Sequence, residues 1–179
     1  MAMKRFSQIL QTLLGSLWRR KRMEFTFPRM MDSHRKMLLI LPRAHDAFRL
    51  AHRWRERILF AAGNKAIVVL SIGAPLEHVQ EWSPHHLFFT DSDISSLGLA
   101  SRRVVNSVEK ERFQLAIDLS PDFDFATAQV PLRAKIPIRL GIADMQNVTL
   151  AEKYFNILLC RNPQLDYESM AKLMESNRA

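Results

Sequence analysis

Two loops and one short motif carry the residue types that could do chemistry. Asp118-Leu119-Ser120-Pro121-Asp122-Phe123-Asp124 holds three carboxylates within seven residues, the density of a hard-cation site. The same residues also read as a helix start, with Ser120 as N-cap, Pro121 at the first helical position and two acids in the first turn. Helix initiation accounts for more of them than a metal site does. Leu41-Pro42-Arg43-Ala44-His45-Asp46-Ala47 sets a cation, an imidazole and a carboxylate just after an apolar run, and Asp46 there reads as a helix N-cap. Arg139, before Leu140-Gly141, is suited either to an anionic sugar or phosphate or to a structural ion pair. His78, His85 and His86 have no Asp, Glu or Cys at zinc-like spacing, so they read as surface histidines and no metal site is expected.

These loops need elements to hold them. Apolar runs at Met37–Leu41, Ala66–Ile72, His86–Thr90, Leu115–Leu119 and Ile136–Leu140 predict strands, and their lack of polar alternation predicts burial on both faces. Helical patterns cover Ala47–Ala62, Leu76–Glu81, Gly98–Glu111, Phe123–Arg133 and Tyr167–Glu175. The alternation predicts an α/β fold: a Rossmann-like open, mostly parallel sheet with helices on both faces. In such sheets ligands bind beyond the carboxyl ends of the strands, where both loops fall.

Composition narrows the function classes. The chain has 179 residues, one cysteine (Cys160) and five glycines, at 15, 63, 73, 98 and 141. One cysteine excludes an internal disulfide and fits a reducing compartment. No G-x-G-x-x-G follows a strand and no G-x-x-x-x-G-K-[ST] occurs, so the usual dinucleotide and Walker-type sites are missing and no cofactor is expected. No apolar run is long enough to cross a bilayer.

The net charge of +8 is concentrated at one end: residues 1–36 carry nine Lys or Arg against two acids, leaving +1 for the rest. Within residues 1–22, Phe6, Ile9, Leu10, Leu13, Leu14 and Leu17 form one helical stripe, ending in Trp18 and the cluster Arg19-Arg20-Lys21-Arg22. Such a helix suits the headgroup plane of an anionic membrane, or packing on protein. Residues 23–36 read as a linker and 37–179 as the domain. The near-neutral domain argues against nucleic acid as a partner.

The passage Phe113 to Ile142, FQLAIDLSPDFDFATAQVPLRAKIPIRLGI, resembles the N-terminal domain of glycosyltransferase family 9, the lipopolysaccharide heptosyltransferases. The similarity lies in a D-L-x-I-D-L-like strand, a following helix and an R-x-G element, and it covers roughly residues 37–160. It implies one half of a GT-B fold: the acceptor-side domain, with the nucleotide-sugar domain expected to be absent from this chain. It also implies a cytoplasmic protein, peripheral on the inner membrane, with a glycan or glycolipid acceptor and a donor-domain protein in trans as partners. By the same resemblance Asp46 is the candidate base toward an acceptor hydroxyl, with His45 standing where the family has glycine. Arg43, His45, Ser120, Asp122 and Arg139 are the candidate acceptor-binding residues. The isolated domain is expected to bind rather than turn over substrate. The alternative expectation is a non-enzymatic module that docks on membrane or partner through its basic helix.

Overall fold

The computed structural model describes residue 13 and residues 36–63, 66–73, 76–143, 146–159 and 163–175. Of the proposed membrane-contact residues only Leu13 is among these, helical and exposed; Phe6, Leu10, Leu17, Trp18, Arg19, Arg20, Lys21 and Arg22 lie outside them, as does Cys160. Among the described residues no helix is long and apolar enough to cross a membrane.

The domain is an α/β, Rossmann-like open sheet. Its strands are β1 (Lys36–Ile40), β2 (Ala66–Ile72), β3 (His86–Phe89), β4 (Leu115–Asp118), β5 (Ile138–Ile142) and β6 (Ile157–Leu159). All neighbours pair in parallel, in the order β3-β2-β1-β4-β5-β6. The helices are α1 (His45–Arg53), α2 (Arg55–Ala62), α3 (Leu76–Val79), α4 (Arg102–Lys110), α5 (Phe125–Arg133), α6 (Val148–Ala151) and α7 (Pro163–Glu175).

The two faces of the sheet bury alternate strand residues. Met37, Leu39, Val69, Leu115 and Ile117 pack under α1, α2 and α7, against Phe48, Ile58, Tyr167 and Met170. Leu38, Ile40, Leu70 and Ala116 pack under α4 and α5, against Val104, Val108 and Val130. Cover on both faces explains why the strands read as unbroken apolar runs.

Several boundaries differ from the sequence expectation, each for a local reason. The helix expected from Ser120-Pro121 begins at Phe125, with Asp124 as its N-cap; Asp124 Oδ1 accepts from Ala126 N–H at 2.9 Å. The Ser120 N–H is instead taken by Asp118 Oδ1 at 2.9 Å, which holds residues 119–124 as a loop. Asp46 is not a cap either: Ala44 occupies the N-cap of α1, without a side-chain bond, and Asp46 lies in the first turn. There its charge still complements the helix dipole. The single helix expected over Ala47–Ala62 is interrupted at Trp54, whose N–H closes on Ala51. Strand β5 begins at Ile138, not Ile136, because Pro137 has no N–H for the ladder. Strand β6 and helix α6 were not expected; at three and four residues they are too short to show a period.

Candidate functional site

The strand order reverses between β1 and β4, since the chain builds outward from β1 in one direction and then from β4 in the other. Their carboxyl ends diverge into separate loops there, and the crevice between the loops is where open α/β sheets bind ligands. A cleft of about 530 Å³ occupies this place. Pro42, Arg43 and Ala44 line it from the β1–α1 turn, and Ser120 to Ala126 from the β4–α5 loop. Ser96, Leu97 and Gly98 form a further wall, and Asn147 and Leu150 close the side toward β5.

The guanidinium that lines the cleft among the described residues is already committed. Arg43 Nη2 donates to Asp91 Oδ1 at 2.7 Å, and Nη1 lies 3.5 Å from Asp124 Oδ2. Burial works against the charge, but the two carboxylates outweigh it and hold the Arg43 pKa above its ordinary value. Asp124 therefore does two things at once, capping α5 and steering Arg43. Gly73 makes the Asp91 position possible: its φ of +69° suits glycine, and a Cβ there would come 2.7 Å from Asp91 Oδ1.

Beneath the floor lies Asp118, fully buried at the end of β4. Its Oδ1 accepts from Ser120 N–H and its Oδ2 from the Thr127 hydroxyl at 3.0 Å. Burial pushes this carboxyl up to about 7, against the opposing pull of Ser120 and Thr127. The Ser120 hydroxyl is near enough to Asp118 to favour its charged form, yet makes no hydrogen bond of good geometry. That hydroxyl is buried beside Asp118 and not open to the cleft that the residue lines.

The wall opposite is rigidly built. Asp93 caps the 3₁₀ turn Asp91–Asp93 through Thr90 N–H and takes a two-pronged bond from Arg103, at 3.0 and 2.6 Å. Arg103, then the neighbouring Thr90 and Ser101, hold the Asp93 carboxyl below the usual carboxylate range. The buried Gln129 amide donates to Gly98 O at 2.7 Å, and Arg133 to Ala100 O at 2.6 Å, tying this wall to α5. Neither Gln129 nor Asp93 stood out in the sequence, because their partners lie 31 and 10 residues away.

Of the sequence candidates, Arg43, Ser120 and Asp122 line the cleft. Asp46 and His45 are exposed in the first turn of α1 and are not among the lining residues, although Ala44 and Ala47 on either side of them are. Arg139 is elsewhere. Its Nε donates to Tyr154 O and its Nη1 to Ile136 O, both at 2.6 Å, near the amino-terminal end of β5. Gly141 follows on the same face of the strand, where a Cβ would meet three atoms of the Phe155 ring at 2.7 Å. Here Arg-x-Gly is the packing of one strand against the Tyr154-Phe155 turn. No family model, curated protein or solved structure matches the chain.

Proposed function

We propose that this is an acceptor-binding domain of the heptosyltransferase (glycosyltransferase family 9) kind, serving cell-envelope glycan synthesis. The observation that carries the reading is the chemistry of the cleft at the β1–β4 switch. Asp122 and Asp124 offer carboxylate acceptors, and Leu97, Phe123 and Leu150 an apolar surface. A neutral polyol suits that mixture, since its hydroxyls donate to carboxylates while its C–H faces lie on apolar side chains. A nucleotide phosphate does not: Arg43 is paired with two acids, and the β1–α1 turn has no glycine to bring backbone amides close.

In this reading Asp46 acts at the cleft's rim as the base toward the acceptor hydroxyl, flanked by the lining residues Ala44 and Ala47. His45 and Arg43 complete that edge. Inverting transfer from an ADP-sugar needs a donor domain facing the cleft, in register with the acceptor, and the described residues form a single sheet. In this reading the domain's own contribution is acceptor capture, and a donor domain facing the cleft would complete the reaction. The charge of +7 on residues 1–36 supports peripheral attachment to an anionic inner-membrane surface, where a glycolipid acceptor would be found.

Titration of the full chain with a neutral heptose oligosaccharide, and separately with an ADP-sugar, tests this. The oligosaccharide is expected to bind without nucleotide, and Asp122→Asn, at an exposed position, to weaken it several-fold. Direct ADP-sugar binding, or no saturable oligosaccharide binding, would overturn the reading.

A further inference from the structure

The histidines of the domain have no metal-ligand spacing along the chain, but the fold assembles one. His52 lies in the last turn of α1, His78 in α3, and Glu81 two residues beyond α3. One donor atom from each lies within 4.8 Å of the other two. His78 Nδ1 is 3.0 Å from Glu81 Oε1, and His52 Nε2 is 3.5 Å from Glu81 Oε2. A tetrahedral ion with bonds of about 2.0–2.1 Å holds its ligand atoms about 3.3 Å apart. The two separations run to different oxygens of Glu81, and with one donor atom of each residue within 4.8 Å of the others, side-chain rotation is needed to draw all three onto one ion.

The surroundings favour ligation. The His52 ring is stacked on Phe48, with centroids 5.9 Å apart and planes 18° apart, and meets Trp82 edge-on at 6.3 Å. A ring held in this way loses little further freedom on binding. The His78 and His52 rings lie 5.5 Å apart. Arg55 donates to Glu81 Oε2, the outer-shell contact that orients a ligating carboxylate. His78 and Glu81 are exposed, leaving one side open for a water as fourth ligand.

We infer that His52, His78 and Glu81 form a binding site for a divalent transition metal of the zinc class, clipping the end of α1 to α3. Two imidazoles and one carboxylate match zinc and its neighbours, whereas calcium and magnesium require oxygen ligands throughout. None of the three residues lines the cleft, so the site stands independently of the function proposed above.

The test is titration of the full chain with Zn²⁺, and with Co²⁺ to read the intense visible absorption of four-coordinate cobalt, with Mg²⁺ as control. One equivalent of Zn²⁺ is expected to bind and to raise the melting temperature. His78→Ala, at an exposed position, and Glu81→Gln are each expected to weaken binding by about tenfold or more and to remove the thermal shift. The double variant His85→Ala/His86→Ala should bind as wild type does. Absence of Zn²⁺ binding, weak cobalt absorption of the six-coordinate kind, or binding that survives His78→Ala and Glu81→Gln would each overturn the assignment.

Discussion

Arg43 and Arg139 were both candidate acceptor-binding residues, and the fold treats them oppositely. Arg43 sits at the carboxyl end of the sheet, partly open to a cleft, with two carboxylates as partners. Arg139 sits toward the amino end of β5, buried, with backbone carbonyls as partners. The first arrangement leaves the carboxylates of Asp122 and Asp124 lining solvent-filled space. The second closes a gap between β5 and the turn before β6. An arginine beside a glycine in sequence therefore does not identify a site; the end of the strand it occupies does.

The largest effect is expected at the closed edge. Arg139→Leu removes the donors to the Tyr154 and Ile136 carbonyls while leaving those carbonyls buried, at a cost of about 1–3 kcal/mol for each. Urea unfolding measures it. A loss below about 1 kcal/mol, the range for surface contacts, would show that this edge is as tolerant as the cleft and would end the comparison.

Next in size is Asp118, which lies under the cleft but behaves like the closed edge. Its folded pKa of about 7 lies above its unfolded value, so the folded chain holds an extra proton between about pH 4 and 7. Ionisation of this group therefore takes stability away as pH rises through that window. Asp118→Asn removes the titration and keeps an acceptor for Ser120 N–H. Relative to wild type, the variant is expected to gain stability between about pH 5 and 8, by at most on the order of 4 kcal/mol. Denaturant midpoints of both proteins across that range check the sign. A constant difference at every pH would mean that Asp118 does not titrate there.

Smaller again is Gly141→Ala, where the added Cβ must displace the Phe155 ring. Overpacking of this kind costs about 1–3 kcal/mol. The expected signature is a lower thermal midpoint with oligosaccharide binding intact, because Gly141 does not line the cleft.

The sheet was legible in the sequence because doubly buried strands such as Leu115–Asp118 must be apolar throughout, and that leaves a contiguous signal. The starts of α1 and α5 were not. Asp46 and Ser120 are both good capping types, but the cap is decided by which N–H each side chain can reach, and it is Asp124 that reaches the N–H of Ala126. The loops flanking the cleft were legible for a similar reason to the strands, since ligand sites follow from strand ends. The rigid wall at Asp93, Gln129 and Arg133 was not, because it depends on contacts between distant segments. The triad of His52, His78 and Glu81 is the same case, with the two histidines 26 positions apart.

Arg43→Gln sets the lower bound of the comparison. Asp91 is largely exposed and stays solvated when its partner is lost, so the stability change is expected to remain within about 1 kcal/mol. Its electrostatic consequence should be larger than its energetic one. Asp122 and Asp124 would then line the cleft without a neighbouring cation, with Asp91 close by, and their mutual repulsion would be relieved by salt. If the cleft binds a neutral polyol, oligosaccharide affinity in the variant should depend on ionic strength more steeply than in wild type, while unfolding midpoints stay close. A stability loss as large as that of Arg139→Leu would mean that Arg43 is a structural tie as well, and the two ends of the sheet would no longer differ in kind.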